Sequence, residues 1–144
     1  MDNYASSAKS LIFAAIIIEV VFLVIGIIVF LFAFAVSFTT TASNGSVTSI
    51  TTEPALPFIF GIISIAFIFG IFWILLDYFL LYKKILADKI EEAKSASLVL
   101  GIIQLIFGGL IPGILILVAY GKLADSVNYR MNHHEKEGDN NNIF

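Results

Sequence analysis

The sequence predicts an all-α integral membrane protein, a small bundle built from three apolar helical segments. Of its 144 residues, 59% are hydrophobic and 13% are charged, about half the charged fraction of an average soluble domain. A soluble domain of this length could not bury so much apolar surface, so lipid must be its solvent. Three apolar runs, at 11–38, 57–82 and 98–120, hold most of these residues. A helix needs about 20 apolar residues to span a bilayer.

Polar segments between the runs set the predicted boundaries along the chain. The order is a cytoplasmic lead at 1–10, transmembrane helix 1 at 11–38, an extracytoplasmic Ser/Thr loop at 39–54, transmembrane helix 2 at 55–82, a cytoplasmic amphipathic helical segment at 83–95, a transmembrane or re-entrant helix 3 at 96–121, and a polar tail at 122–144. The segment 83–95 is interpreted either as an interfacial helix that continues the second span or as a solvated linker whose charges set the topology.

The basic residues predict the orientation, because they stay on the cytoplasmic side of a membrane. Lys9 precedes the first run, four lysines lie within 83–95, and the 39–54 loop has no Lys or Arg. The N-terminus is therefore predicted to be cytoplasmic. The membrane that holds the protein is predicted to be the plasma membrane. Asn44 begins an Asn-Gly-Ser glycosylation acceptor pattern in the loop assigned to the outside.

The third run allows two interpretations, which the sequence leaves open. Its length suits one crossing of the membrane. The segment Gly108–Gly113, GGLIPG, lies near its middle, where Pro112 removes a helical hydrogen bond. The run is therefore either one helix kinked at Gly108–Gly113 or a re-entrant hairpin that leaves the tail, with its three basic residues, on the cytoplasmic side.

Two acids and one amide interrupt the apolar runs: Glu19, Asp77 and Gln104. A charged side chain at the centre of a membrane helix costs at least about 2.5–3.5 kcal/mol. At about 1.5 Å per residue, each lies within about 12 Å of the cytoplasmic end of its run, so the three could share one layer. The layer is interpreted as interhelical hydrogen bonding, or as a proton or cation site centred on Glu19. Asp77 could instead be hydrated at the membrane surface.

Small residues at helical spacing predict close helix packing. Gly109 and Gly113 form a GxxxG pattern, and Ala66 with Gly70 repeats the spacing in the second run. Such pairs let helix backbones approach closely. We expect packing within the chain before self-association.

The sequence predicts a protein that is not an enzyme and has no metal and no cofactor. It has no cysteine, which excludes disulfides and thiolate sites. No nucleophile elbow, phosphate-binding loop or metalloprotease motif is present. Two adjacent histidines, His133 and His134, lack further ligands at metal-site spacing. A net charge of −3 is not typical of nucleic-acid binding.

Residues 93–123 carry LGII, GG-x-IPGI and AYGKL in the order AKSASLVLGIIQLIFGGLIPGILILVAYGKL. This segment resembles a recurring part of small, uncharacterised prokaryotic membrane proteins with several spans, many of them archaeal. The resemblance implies a multi-span membrane protein, and it implies no activity, ligand or site residue.

Together these patterns predict a structural or accessory subunit of a membrane assembly. Its expected partners are the lipid bilayer and other membrane subunits, or further copies of the chain. The alternative is a small proton- or cation-coupled transporter or channel that works as an oligomer through Glu19, since three helices enclose little room.

Overall fold

The computed structural model describes residues 1–42, 55–107 and 109–140, with side chains described for 1–35, 58–107 and 109–133. These residues form helices and no strand. The elements are α1 (Asn3–Ala42), α2 (Ala55–Leu76), a π-helical segment (Asp77–Tyr82), α3 (Lys83–Leu86), α4 (Ile90–Phe107) and α5 (Leu110–Asn140). Three stretches are long and apolar enough to cross a membrane: Asn3–Ala35, Phe58–Leu86 and Leu110–His133. The prediction of an all-helical chain is confirmed for the described residues, with three helices long and apolar enough to span a membrane.

Helix α1 begins eight residues before the apolar run and includes most of the predicted polar lead. Asp2 is its N-cap, because the backbone N–H of Ala5 donates to Asp2 Oδ1 at 2.8 Å. The helix thereby extends the first span by about two turns on the side assigned to the cytoplasm.

The predicted amphipathic segment 83–95 is not one helix. The rod formed by α2, the π-helical segment and α3 ends at a turn in which Asp88 has a φ of 59°. Around it, Lys89 N–H donates to the Lys84 carbonyl at 2.9 Å and Asp88 N–H to the Ile85 carbonyl at 3.0 Å. This is a Schellman motif, which ends a helix with one left-handed residue. The chain then reverses into α4 instead of continuing along the second span.

The third apolar run forms two helices, α4 and α5, that pack against each other. Their close approaches join residues equally far on either side of Gly109: Leu105 with Gly113, Gly101 with Leu117, and Asp88 with Arg130. Such a register occurs only between antiparallel helices. Run three is therefore a helical hairpin with its apex at Gly109.

Glycine is required at this apex because Gly109 has a φ of 143°, a conformation that L side chains rarely adopt. Its N–H donates to the Gln104 carbonyl at 2.8 Å, and its own carbonyl accepts from Gly113 N–H at 3.1 Å. Pro112 lies in the first turn of α5, where its missing N–H removes no helical hydrogen bond. Gly109 thus allows α4 to end, and Pro112 is compatible with the first turn of α5.

The buried core lies where the hairpin packs against α1. Small side chains on α1 allow α5 to approach closely, and the π-helical segment and α3 complete the cluster. Its members are Ala5, Ala8, Ile12, Ala15, Leu81, Ile85, Ile90, Ala93, Leu100, Ile116, Ala119, Leu123 and Val127. Beyond the apex, α1 and α2 continue together, with the rings of Phe30 and Phe60 meeting edge to face at 5.4 Å.

Candidate functional site

The three polar residues of the apolar runs lie in contact at the level of the hairpin apex. Gln104 Nε2 donates to Glu19 Oε1 at 3.0 Å and to Asp77 Oδ2 at 2.9 Å. Asp77 and Gln104 are fully buried, so Asp77 is not hydrated at a surface. One amide thereby joins α1, the π-helical segment and α4, and we call these three side chains the apex cluster.

Local structure explains how one side chain reaches two helices. Asp77 is the first residue of the π-helical segment, whose wider turn changes the direction of a side chain relative to an α-helix. Gln104 lies in the last turn of α4, just before the apex. The chain reversal inserts that turn beside both spans, so that both N–H groups of the amide find carboxyl acceptors.

Three oxygens of the apex cluster are buried without a hydrogen-bond partner: Glu19 Oε2, Asp77 Oδ1 and Gln104 Oε1. Neither acid forms an ion pair with a Lys or Arg among the residues that the structure describes. A carboxyl group can donate only when it carries a proton. The cluster therefore has more acceptors than donors: a proton on one acid would add a donor, and a cation could be coordinated by the free oxygens.

A second polar group, which we call the base clamp, closes the open end of the hairpin. Arg130 Nη1 and Nη2 donate to the two Asp88 oxygens at 3.0 and 2.7 Å, and Arg130 Nε donates to Asp2 Oδ2 at 3.0 Å. The Ser126 hydroxyl donates to the same Asp2 oxygen at 2.7 Å. The clamp ties the start of α1 and the turn after α3 to α5.

The clamp lowers the pKa of both of its acids. Burial raises the pKa of Asp2, but hydrogen bonds from the Ala5 N–H, the Ser126 hydroxyl and Arg130 outweigh burial and lower that pKa to about 2. The hydrogen bonds from Arg130 also lower the pKa of the Asp88 carboxyl. Both acids therefore stay charged at neutral pH.

Sequence reasoning missed the base clamp. Its residues are separated by 42 and 128 positions along the chain, and they sit outside the apolar runs. One signal was present, because Arg130 is the only arginine in the chain. The planar guanidinium has five N–H donors, so it can bind one carboxylate through two of them and a second acid through a third.

A cavity of about 600 Å³ lies between α1 and α2 beyond the apex, and sequence reasoning missed it as well. Its walls are apolar, Glu19 and Trp73 border it, and Pro112 reaches it from the hairpin. Most of the other lining residues are large and apolar, such as Phe22 and Phe67, with small residues, among them Gly26, Ala66 and Gly70, between them.

The predicted packing glycines have different surroundings. A Cβ atom on Gly113 would lie 2.7 Å from the backbone nitrogen of Leu105, and one on Gly70 would lie 3.0 Å from Leu23 Cδ1. Gly113 therefore marks the closest approach within the hairpin. Gly109 serves the apex turn instead.

The remaining predicted positions are Asn44 and the adjacent histidines. Asn44 lies outside the described residues. The His133 Nδ1 atom lies 2.9 Å from the Tyr129 carbonyl oxygen, one turn earlier. Within residues 1–35, 58–107 and 109–133, no three His, Cys, Asp or Glu side chains group as metal ligands.

No protein-family model matches the chain, and neither a curated protein nor a solved structure matches it.

Proposed function

We propose that the chain is a non-enzymatic integral membrane protein that acts as a structural or accessory subunit of a membrane assembly. The observation that carries this proposal is the cavity between α1 and α2 beyond the hairpin apex. The exposed small residue Ala66 lies in its apolar wall, and small residues let a neighbouring transmembrane helix approach closely. A helix of another subunit or of a second copy completes the bundle there.

The apex cluster has a structural role in this proposal. It locks the hairpin to both spans, and an interhelical hydrogen bond in a membrane contributes about 0.6 kcal/mol. The hydrogen bonds from Gln104 to both acids give Glu19 and Asp77 a structural role in apolar helices, and no catalytic reaction is needed to account for them. The base clamp holds the opposite end of the same hairpin.

We propose further that α4 and α5 form a re-entrant hairpin. Their apolar arms, 96–107 and 110–120, are about 16–18 Å long, a little over half of the roughly 30 Å hydrocarbon core. The α5 residues that follow include Lys122, Asp125 and Arg130, whose charges are costly in hydrocarbon. Arg130 instead binds Asp2 and the turn residue Asp88, which supports a tail on the same side as the N-terminus.

We propose that the protein lies in the plasma membrane with its N-terminus in the cytoplasm. Both ends of the described chain are then on the cytoplasmic side. Since the chain has no cysteine, single thiols can be introduced at the exposed positions Ser7 and Asn132. In intact cells, a membrane-impermeant maleimide should label neither S7C nor N132C, and it should label both after permeabilisation. Labelling of N132C alone from outside would mean that α5 crosses the membrane.

The subunit proposal predicts a particle that contains more than one protein chain. Extracted into lipid nanodiscs, the protein should have a native mass above the 15.8 kDa of one chain. Ala66→Phe should reduce that mass to one chain, because the larger ring fills the cavity that receives the partner helix. Ile65→Phe is the matched control, since Ile65 is 57% exposed and lies outside the cavity lining. A single chain in the native sample would refute the proposal.

A further inference from the structure

The three unpartnered oxygens of the apex cluster come from three different elements and meet around one amide. Gln104 uses both of its N–H donors on the acids, so its carbonyl oxygen and one oxygen of each acid are left over. Two of these residues, Asp77 and Gln104, are fully buried. Buried polar atoms without partners are uncommon and each needs an explanation.

One proton can serve two of the three oxygens. A carboxylic acid and a primary amide pair through two hydrogen bonds, in which the amide N–H donates to one carboxyl oxygen and the acid O–H returns a bond to the amide oxygen. A single proton on one acid therefore gives Gln104 Oε1 a donor and uses the second oxygen of that acid. The amide can close such a ring with one acid only, because its second N–H points away from its own oxygen.

The other acid then keeps one free oxygen and one negative charge. An isolated carboxylate in an apolar interior is strongly disfavoured unless a positive charge accompanies it. No described Lys or Arg pairs with either acid. One further unit of positive charge makes the cluster neutral, and either a second proton or a monovalent cation supplies it.

We propose that the apex cluster binds one fixed proton and one exchangeable monovalent cation, which competes with a second proton. Asp77 holds the fixed proton, since its side chain is fully buried. Glu19 carries the exchangeable position, since it is only partly buried and borders the cavity. Gln104 orients both acids and its carbonyl oxygen accepts the fixed proton. This proposal goes beyond the assembly with other subunits, and its test measures proton release instead of native mass.

Few other groups act on the site. The elements packed there are α1, α2, the π-helical segment, α4 and α5, and among their described side chains the charged groups at this level are Glu19 and Asp77 themselves. At the apex α5 presents Pro112 and Gly113, which do not titrate. The two tyrosines of the π-helical segment, Tyr78 and Tyr82, stack on each other with centroids 5.9 Å apart. Because Glu19 and Asp77 are the charged groups at this level, we expect each bound cation to exchange with a single proton.

Proton release tests the proposal directly. Purified protein in a weakly buffered solution with a pH-indicator dye is titrated with NaCl, and choline chloride at the same ionic strength serves as the reference. At a pH where both acids carry protons, NaCl should release one proton per chain and choline chloride none. For each unit by which the pH falls, the NaCl concentration at half release should rise about tenfold, because one cation displaces one proton.

Two isosteric variants assign the roles. Glu19→Gln should abolish the release. Asp77→Asn should retain it, because the Asn amide replaces the protonated acid and can donate to Gln104 Oε1. Trp73, the only tryptophan of the chain, borders the cavity with Glu19. Its fluorescence should change with NaCl in the native protein and in Asp77→Asn, but not in Glu19→Gln. Equal release by NaCl and choline in the native protein, or release that survives Glu19→Gln, would overturn the proposal.

Discussion

Gln104→Leu should destabilise the protein more than any other single change in the apolar runs. The variant loses both hydrogen bonds to the acids and leaves Glu19 and Asp77 in apolar surroundings without a donor. A buried polar group that loses its partner costs about 1–3 kcal/mol, so we expect a loss of about 2–6 kcal/mol for the two acids. The free energy of unfolding can be measured by adding sodium dodecyl sulfate to the protein in mild micelles.

The triple variant Glu19→Leu/Asp77→Leu/Gln104→Leu is the matched control for this result. Replacing a whole buried polar group by apolar side chains is often neutral or stabilising, whereas removing one partner is costly. The free energy of unfolding of the triple variant should therefore lie within about 1 kcal/mol of that of the native protein, or above it. If Gln104→Leu unfolds at the same detergent fraction as the native protein, the amide does not tie the acids together.

Gly113→Ala should force the two arms of the hairpin apart. The added Cβ atom would lie 2.7 Å from Leu105 N and 2.9 Å from Leu105 Cα. Both are backbone atoms, so no side-chain rotation can relieve the clash, and the helices must separate. Overpacking of this kind costs about 1–3 kcal/mol. Spin labels at the exposed positions Val99 and Val118 should report a longer distance between α4 and α5.

Gly121→Ala provides the control within the same helix. A Cβ atom there meets nothing within 4 Å, and alanine is better than glycine in a helix by about 0.8–1.0 kcal/mol. This variant should be as stable as the native protein or slightly more stable. If Gly113→Ala behaved like Gly121→Ala, the close approach of the two arms would be absent in the folded protein.

The depth of the polar residues could be predicted from sequence, but their bonding could not. Counting residues from the ends of the apolar runs placed Glu19, Asp77 and Gln104 at similar depth, and the structure brings them together. Depth depends on residue number alone, because the rise per residue of a helix is constant. Which helices are neighbours, and how each is rotated, depends on tertiary packing. The bridging position of Gln104 was therefore visible only in the structure.

The third apolar run shows a similar limit. Pro112 and the glycines around it marked a weak point, but a kinked crossing and a hairpin have the same local sequence signals. The antiparallel contacts of Gly101 and Gly113 with the facing helix distinguish the two. The base clamp supports the hairpin as well, since Arg130, which follows the run, binds Asp88, which precedes it, and Asp2 at the start of the chain.

Composition and hydropathy alone were enough to establish an all-helical protein with spans long enough for a membrane, because the transfer of apolar side chains into lipid is a sum over residues. They also placed the acids within those spans. The hairpin, the amide bridge and the clamp were decided by the tertiary structure. Each of them depends on directional hydrogen bonds or backbone contact between residues distant in the chain, and such pairings are not additive properties of the residues themselves.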